Sequence, residues 1–124
     1  MLGAMLMLVP GPGRAFEFSF DWGPLERCTT GDPNTVDNPA FALKEVPAGT
    51  RVIRFALVDL DAPGYPHGGG LVPYSGQSRI LPGAFTYKSP CPPDGRHTYE
   101  WRATALSAAG GETLGEARAR AEYP

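Results

Sequence analysis

Three segments of this chain carry apolar residues in the pattern of extended strands, and that pattern constrains the fold more than any other feature. Phe16, Phe18, Phe20 and Trp22 fall on one side of an extended chain, with Glu17, Ser19 and Asp21 on the other. His97, Tyr99, Trp101, Ala103 and Ala105 share a face in the same way, opposite Thr98, Glu100, Arg102 and Thr104. Such alternation marks a strand with one face toward a core, because successive side chains point to opposite sides. Residues 51–60 differ. Val52, Ile53, Phe55, Ala56, Leu57 and Val58 occupy both alternate sets, which predicts a central strand buried on both faces.

Between these segments the chain is punctuated by turns. Its 16 glycines and 14 prolines would suggest disorder in a chain without pattern. Here they separate patterned apolar segments, so they read as the turns of a β-rich fold. Residues 27–38 read as a polar surface loop ending at the turn-initiating pair Asn38-Pro39. Short strands are expected at 41–43 and 78–81, with a β-turn at 46–50. Residues 64–74, with Gly68, Gly69 and Gly70 in succession, predict no regular structure. The triplet has no following helix or lysine, so it is a weak anion-binding signal. Near the end, Thr113 and Glu116 have capping-box spacing, and Leu114, Ala117 and Ala121 form a thin apolar stripe. The expectation is an all-β, two-sheet β-sandwich with Greek-key-like connections and a short C-terminal helix.

At 124 residues the chain fits one domain. Residues 1–15 read as a signal peptide or an apolar tail, and residues 16–124 as the folded domain. Residues 1–9 are apolar and uncharged, and Gly13 and Ala15 suit a cleavage site, but no basic residue precedes Arg14. The run is too short to cross a bilayer as a helix, which takes about 20 residues. Periplasmic or secreted placement is the expectation, with the cytoplasm as alternative. The net charge is −2 and the basic residues are scattered, which argues against a nucleic-acid partner. Cys28 and Cys91 form one disulfide if the chain is exported; otherwise they are two small unpaired apolar residues.

Residues with chemical capacity collect at strand ends. Asp59 and Asp61 follow the central strand, His67 lies in the glycine-rich segment, and His97 and Tyr99 open the last alternating strand. That strand is entered through Ser89-Pro90-Cys91-Pro92-Pro93-Asp94-Gly95-Arg96-His97-Thr98-Tyr99, a proline-stiffened loop. It delivers an imidazole and a phenol to one face. The two blocks, Asp59-Leu60-Asp61-Ala62-Pro63 and residues 89–99, resemble the paired motifs of the phosphatidylethanolamine-binding proteins, also called Raf-kinase-inhibitor-like proteins. The chain departs from the family at Leu60, at Ser89 and in the short segment after His67.

The resemblance implies a β-sandwich with a small anion pocket at one end, taking phosphate or a phospholipid headgroup. It implies a ligand-binding set of Asp59, Asp61, His67, Pro92, Pro93, His97 and Tyr99, with no cofactor and no catalytic residue. A protein partner, a kinase or protease under inhibition, is implied in the same way. Imidazole N–H and tyrosine O–H groups suit phosphate oxygens. The alternative is a metal-dependent hydrolase using Asp59, Asp61, His67 and His97. No compact ligand spacing such as H-x-x-x-H supports it, and no serine sits in a G-x-S-x-G elbow.

Overall fold

A computed structural model describes residues 15–124. Nine strands follow in chain order among them: β1 (Glu17–Phe20), β2 (Thr35–Asp37), β3 (Phe41–Lys44), β4 (Val52–Asp59), β5 (Gly69–Pro73), β6 (Arg79–Ile80), β7 (Thr86–Lys88), β8 (His97–Leu106) and β9 (Thr113–Tyr123). The fold is all-β, and every strand pairing is antiparallel. The main sheet has the order β5-β4-β8-β9, a second has β1-β3-β6, and β2 and β7 form a separate ribbon.

The core lies between the main sheet and the three-stranded one. Ile53, Phe55 and Leu57 of β4 and Tyr99, Trp101 and Ala103 of β8 face Phe18, Phe41 and Leu43 across it. Phe41 stacks on Phe55 at 4.3 Å between ring centroids, and Trp101 meets Phe41 edge-on at 5.3 Å. Burial of side chains of this size is worth about 1.5–3 kcal/mol each. Strand β4 is buried on this face alone. On its other face Arg54 is exposed and Val52, Ala56 and Val58 are half-buried. Arg102 stands directly across from Ala56 in the register, and the long stem of such an arginine can shield apolar surface while its head stays in water.

Two expectations are corrected. The two-sheet β-sandwich with Greek-key-like connections is replaced by three antiparallel sheets of three, two and four strands. Prolines bracket the β2–β7 ribbon, with Pro33 and Pro39 around β2 and Pro90 after β7. Proline has no N–H to extend a ladder, so the ribbon stays short and separate. The C-terminal helix is absent: no helix occurs among the described residues, so none there is long and apolar enough to cross a membrane. Residues Thr113–Tyr123 instead form β9, paired with β8 from Leu106 to His97. Ala117 and Tyr123 are buried, whereas Arg118, Arg120 and Glu122 are exposed. The period is two, and pairing with β8 overrides the weaker local signals of the capping box and alanines.

The glycine triplet also has a structural reason. Gly69 and Gly70 lie in β5 opposite Ala56 and Phe55. A Cβ on Gly69 would overlap the Phe55 carbonyl oxygen, and one on Gly70 would come within 2.5 Å of the Phe85 Cβ. The glycines permit close backbone approach at an edge strand. The apolar N-terminal stretch assigned to a signal peptide or tail lies, apart from Ala15, outside the described residues.

Candidate functional site

The site is built where β4 ends and β8 begins. Asp59 and Tyr99 are register partners across these strands, so their side chains share a face, and His97 precedes Tyr99 by two on that face. The chain turns tightly after Asp59. Asp59 Oδ1 accepts hydrogen bonds from the backbone N–H of Asp61 at 2.9 Å and Ala62 at 3.2 Å. Its Oδ2 accepts from Nδ1 of His97 at 2.7 Å. A carboxylate 4% exposed is therefore satisfied by two amides and one imidazole, as a buried acid has to be.

These groups open onto a cavity of about 200 Å³. Pro92 and Pro93 supply its stiff wall. Tyr65 and His67 come from the segment before β5, and Gly31, Pro33, Ala62 and Cys91 complete the lining. The proline wall is tied down by a disulfide between Cys28 and Cys91, and by the Gly31 N–H donating to the Cys91 carbonyl at 3.0 Å. Closing 63 residues of chain removes unfolded-state entropy worth about 4 kcal/mol in the loop-closure view.

His67 is only 3% exposed. Its Nδ1 lies 2.7 Å from the Lys88 carbonyl oxygen, and its backbone carbonyl accepts from the Lys88 N–H at 2.8 Å. A carbonyl only accepts, so Nδ1 of His67 carries a hydrogen. His97 has the same tautomer through the Asp59 carboxylate. Each ring keeps Nε2 as the nitrogen without a hydrogen-bond partner among the described residues. Tyr99 is fully buried and meets the His67 ring edge-on at 5.5 Å. Burial first, and then the negative charge of Asp59, push its phenol well above the ordinary tyrosine value. It remains a neutral O–H.

Six of the seven residues expected from sequence converge on this one cavity: Asp59, His67, Pro92, Pro93, His97 and Tyr99. Asp61 does not line it. Its Oδ2 accepts from the Thr98 N–H at 2.8 Å, fastening the turn to the start of β8. Tyr65, Ala62, Gly31 and Pro33 were not anticipated. Tyr65 stands two positions before His67, with their rings 4.7 Å apart, a spacing that could have marked it. Gly31 and Pro33 arrive through the disulfide-tied loop and leave no such signal.

Asp59, Asp61 and His97 place one donor atom each within 4.8 Å of one another. The donor set fits a cation poorly. Both oxygens of Asp59, one of Asp61 and Nδ1 of His97 already take part in the hydrogen bonds above, and His67 stands outside the cluster.

No family model and no curated protein matches the chain. Solved structures do. A phosphatidylethanolamine-binding protein homologue from Chlamydia trachomatis superposes with a TM-score of 0.67 at 17% identity, covering 90% of this chain and 99% of that one. The Escherichia coli protein YbcL, described as a member of the mammalian phosphatidylethanolamine-binding protein family, superposes with a TM-score of 0.63 at 16% identity, covering 89% and 98%. The fold is therefore that of the phosphatidylethanolamine-binding proteins. Identities this low carry the fold and no further.

Proposed function

We propose that this chain is a non-enzymatic binding protein whose cavity takes a small anion: phosphate, a phosphomonoester or a phospholipid headgroup. One observation carries the reading. His97, oriented by Asp59 at 2.7 Å, stands with Tyr99 and His67 around a small cavity with a rigid proline wall. The fold likeness supports it, since both superposed proteins are described as belonging to, or homologous with, the phosphatidylethanolamine-binding proteins. By the resemblance of its two motif blocks to the Raf-kinase-inhibitor-like proteins, the occupied pocket serves to modulate a partner kinase or protease. Action in the periplasm or outside the cell is part of this reading, and the disulfide, which suits an oxidising compartment, supports it.

The tautomers set how an anion is held. With Nδ1 carrying the hydrogen, Nε2 of a neutral His67 or His97 ring is bare, so it accepts and does not donate. A phosphate oxygen needs a donor, which is the Tyr99 O–H, a proton taken up on an imidazole or a P–OH of the ligand. Calorimetry in buffers of different ionisation enthalpy reads whether binding takes up a proton. Titration with inorganic phosphate and with phosphoethanolamine, followed by NMR at His97 and Tyr99, tests the pocket itself. Shifts should concentrate at these residues, and His97→Ala should weaken binding by about tenfold, the worth of one hydrogen bond to a charged group. Absence of shifts at millimolar ligand removes the proposal.

A further inference from the structure

A larger cavity, of about 620 Å³, lies beside the anion pocket and shares none of its lining. It is a groove between residues 21–26 and residues 34–40, with Pro82 and Ser89 also in its lining. Trp22, Leu25 and Val36 line it and pack by their other sides on the hydrophobic core. Asn38 anchors this wall. Its Nδ2 donates to the carbonyls of Pro39 and Leu81, and its Oδ1 accepts from the N–H groups of Gly83 and Phe85, so the whole side-chain amide is satisfied.

The charges that the described residues place on this groove all have one sign. Asp21, Glu26 and Asp37 line it and are exposed, whereas no lysine, arginine or histidine among the described residues does. None of the three acids has an ion-pair partner among the described residues. Asp21 Oδ1 accepts from the Gly23 N–H at 3.0 Å, which holds that carboxylate in place at the rim. Trp22 is immobilised as well: its Nε1 donates to the Glu122 carbonyl at 2.9 Å, and its ring meets Tyr99 edge-on at 5.6 Å.

We propose that this groove docks a peptide segment of a partner protein in which arginine or lysine side chains alternate with apolar ones. The volume falls in the range of built ligand sites, about 300–1,000 Å³. A peptide is favoured over a small amine by the distribution of charge. Three carboxylates at separate chain positions call for more than one cation, and Trp22, Leu25 and Val36 call for apolar side chains between them. A cation beside Trp22 would also gain from its ring face. The inference does not depend on the anion pocket being occupied.

The test is an NMR titration of the whole chain with a short, end-blocked peptide of alternating arginine and leucine. Its control has glutamate in place of arginine. Shifts are expected at residues 21–26 and 34–38, and only with the basic peptide. The triple variant Asp21→Asn, Glu26→Gln, Asp37→Asn should weaken binding by about tenfold, the combined worth of three exposed ion pairs. These side chains are exposed, so the variant should fold, and an unchanged phosphate titration verifies this while reading the other cavity separately. Absence of binding at millimolar basic peptide, equal binding of the acidic peptide, shifts at the anion pocket instead, or an unaffected triple variant would overturn the proposal.

Discussion

Two buried carboxylates sit on opposite faces of the same strand pair and have opposite surroundings. Glu100, at 1% exposure, lies on the outer face of β8 and is enclosed by cations. Arg102 Nε approaches its Oε2 at 2.6 Å, Arg120 Nε its Oε1 at 2.9 Å, and Arg118 stands at 3.9 Å. Asp59, on the inner face, has no arginine or lysine ion-pair partner among the described residues; it holds two amides and one imidazole, and that imidazole faces a cavity. Both acids are satisfied, so satisfaction alone does not mark a functional group. The difference lies in what the partner does next. Around Glu100 the guanidinium groups end in solvent, and the network closes on itself. Beside Asp59 the partner is a titratable ring with one nitrogen left for a ligand.

The comparison breaks first if Glu100 proves dispensable. Arg102→Ala with Arg120→Ala leaves a buried carboxylate without its two close partners. The expected loss is about 2–4 kcal/mol in urea unfolding, below the full cost of orphaning a buried ion because the same change lets water reach Glu100. Phosphate binding should not change. A loss under about 0.5 kcal/mol would place this cluster with ordinary surface pairs. The acid limb sharpens the contrast. Desolvation works to raise the Glu100 pKa, but the hydrogen bonds from Arg102 and Arg120 prevail and hold it below the usual value of 4.5. A depressed folded-state value contributes stability that is present above the unfolded pKa and is lost as pH falls below it toward the folded one. Wild-type stability should therefore fall on acidification below about pH 4.5, and the double variant should lose that part of the acid dependence.

Much of the inner face was legible in sequence and little of the outer one was. Period-two alternation located β1 and β8, and the two motif blocks assigned Asp59, His97, Tyr99 and the prolines to one site. Alternation placed Glu100 on a polar face, yet it could not show that the facing strand would contribute Arg118 and Arg120, because β9 read as a helix. A strand rich in alanine and arginine has helical propensity, and only pairing with β8 reveals its period. The glycine triplet failed for a similar reason. Gly69 and Gly70 are required by the approach of Phe55 and Phe85, which are distant in sequence. The groove at Trp22 was invisible because its walls come from the loop after β1 and from β2 with its flanks, whose residues carry no shared motif.

The finest prediction turns on the Asp59 side chain itself. Asp59→Asn keeps an oxygen to accept from the Asp61 and Ala62 amides but offers His97 an N–H in place of a carboxylate oxygen. Nδ1 of His97 then has to accept, and the neutral ring moves its hydrogen to Nε2. The exchange costs about 1–3 kcal/mol of stability, since a charge-assisted hydrogen bond becomes a neutral one. At the cavity the effect has the opposite sense. An Nε2–H donor is present in the neutral ring, so phosphate binding should take up fewer protons than in the wild type, even where its affinity is lower. Nitrogen-15 shifts of the His97 ring report the tautomer, and calorimetry in two buffers reports the protons. Unchanged proton uptake together with an unchanged tautomer would show that Asp59 positions the turn after β4 and leaves the imidazole to its ligand.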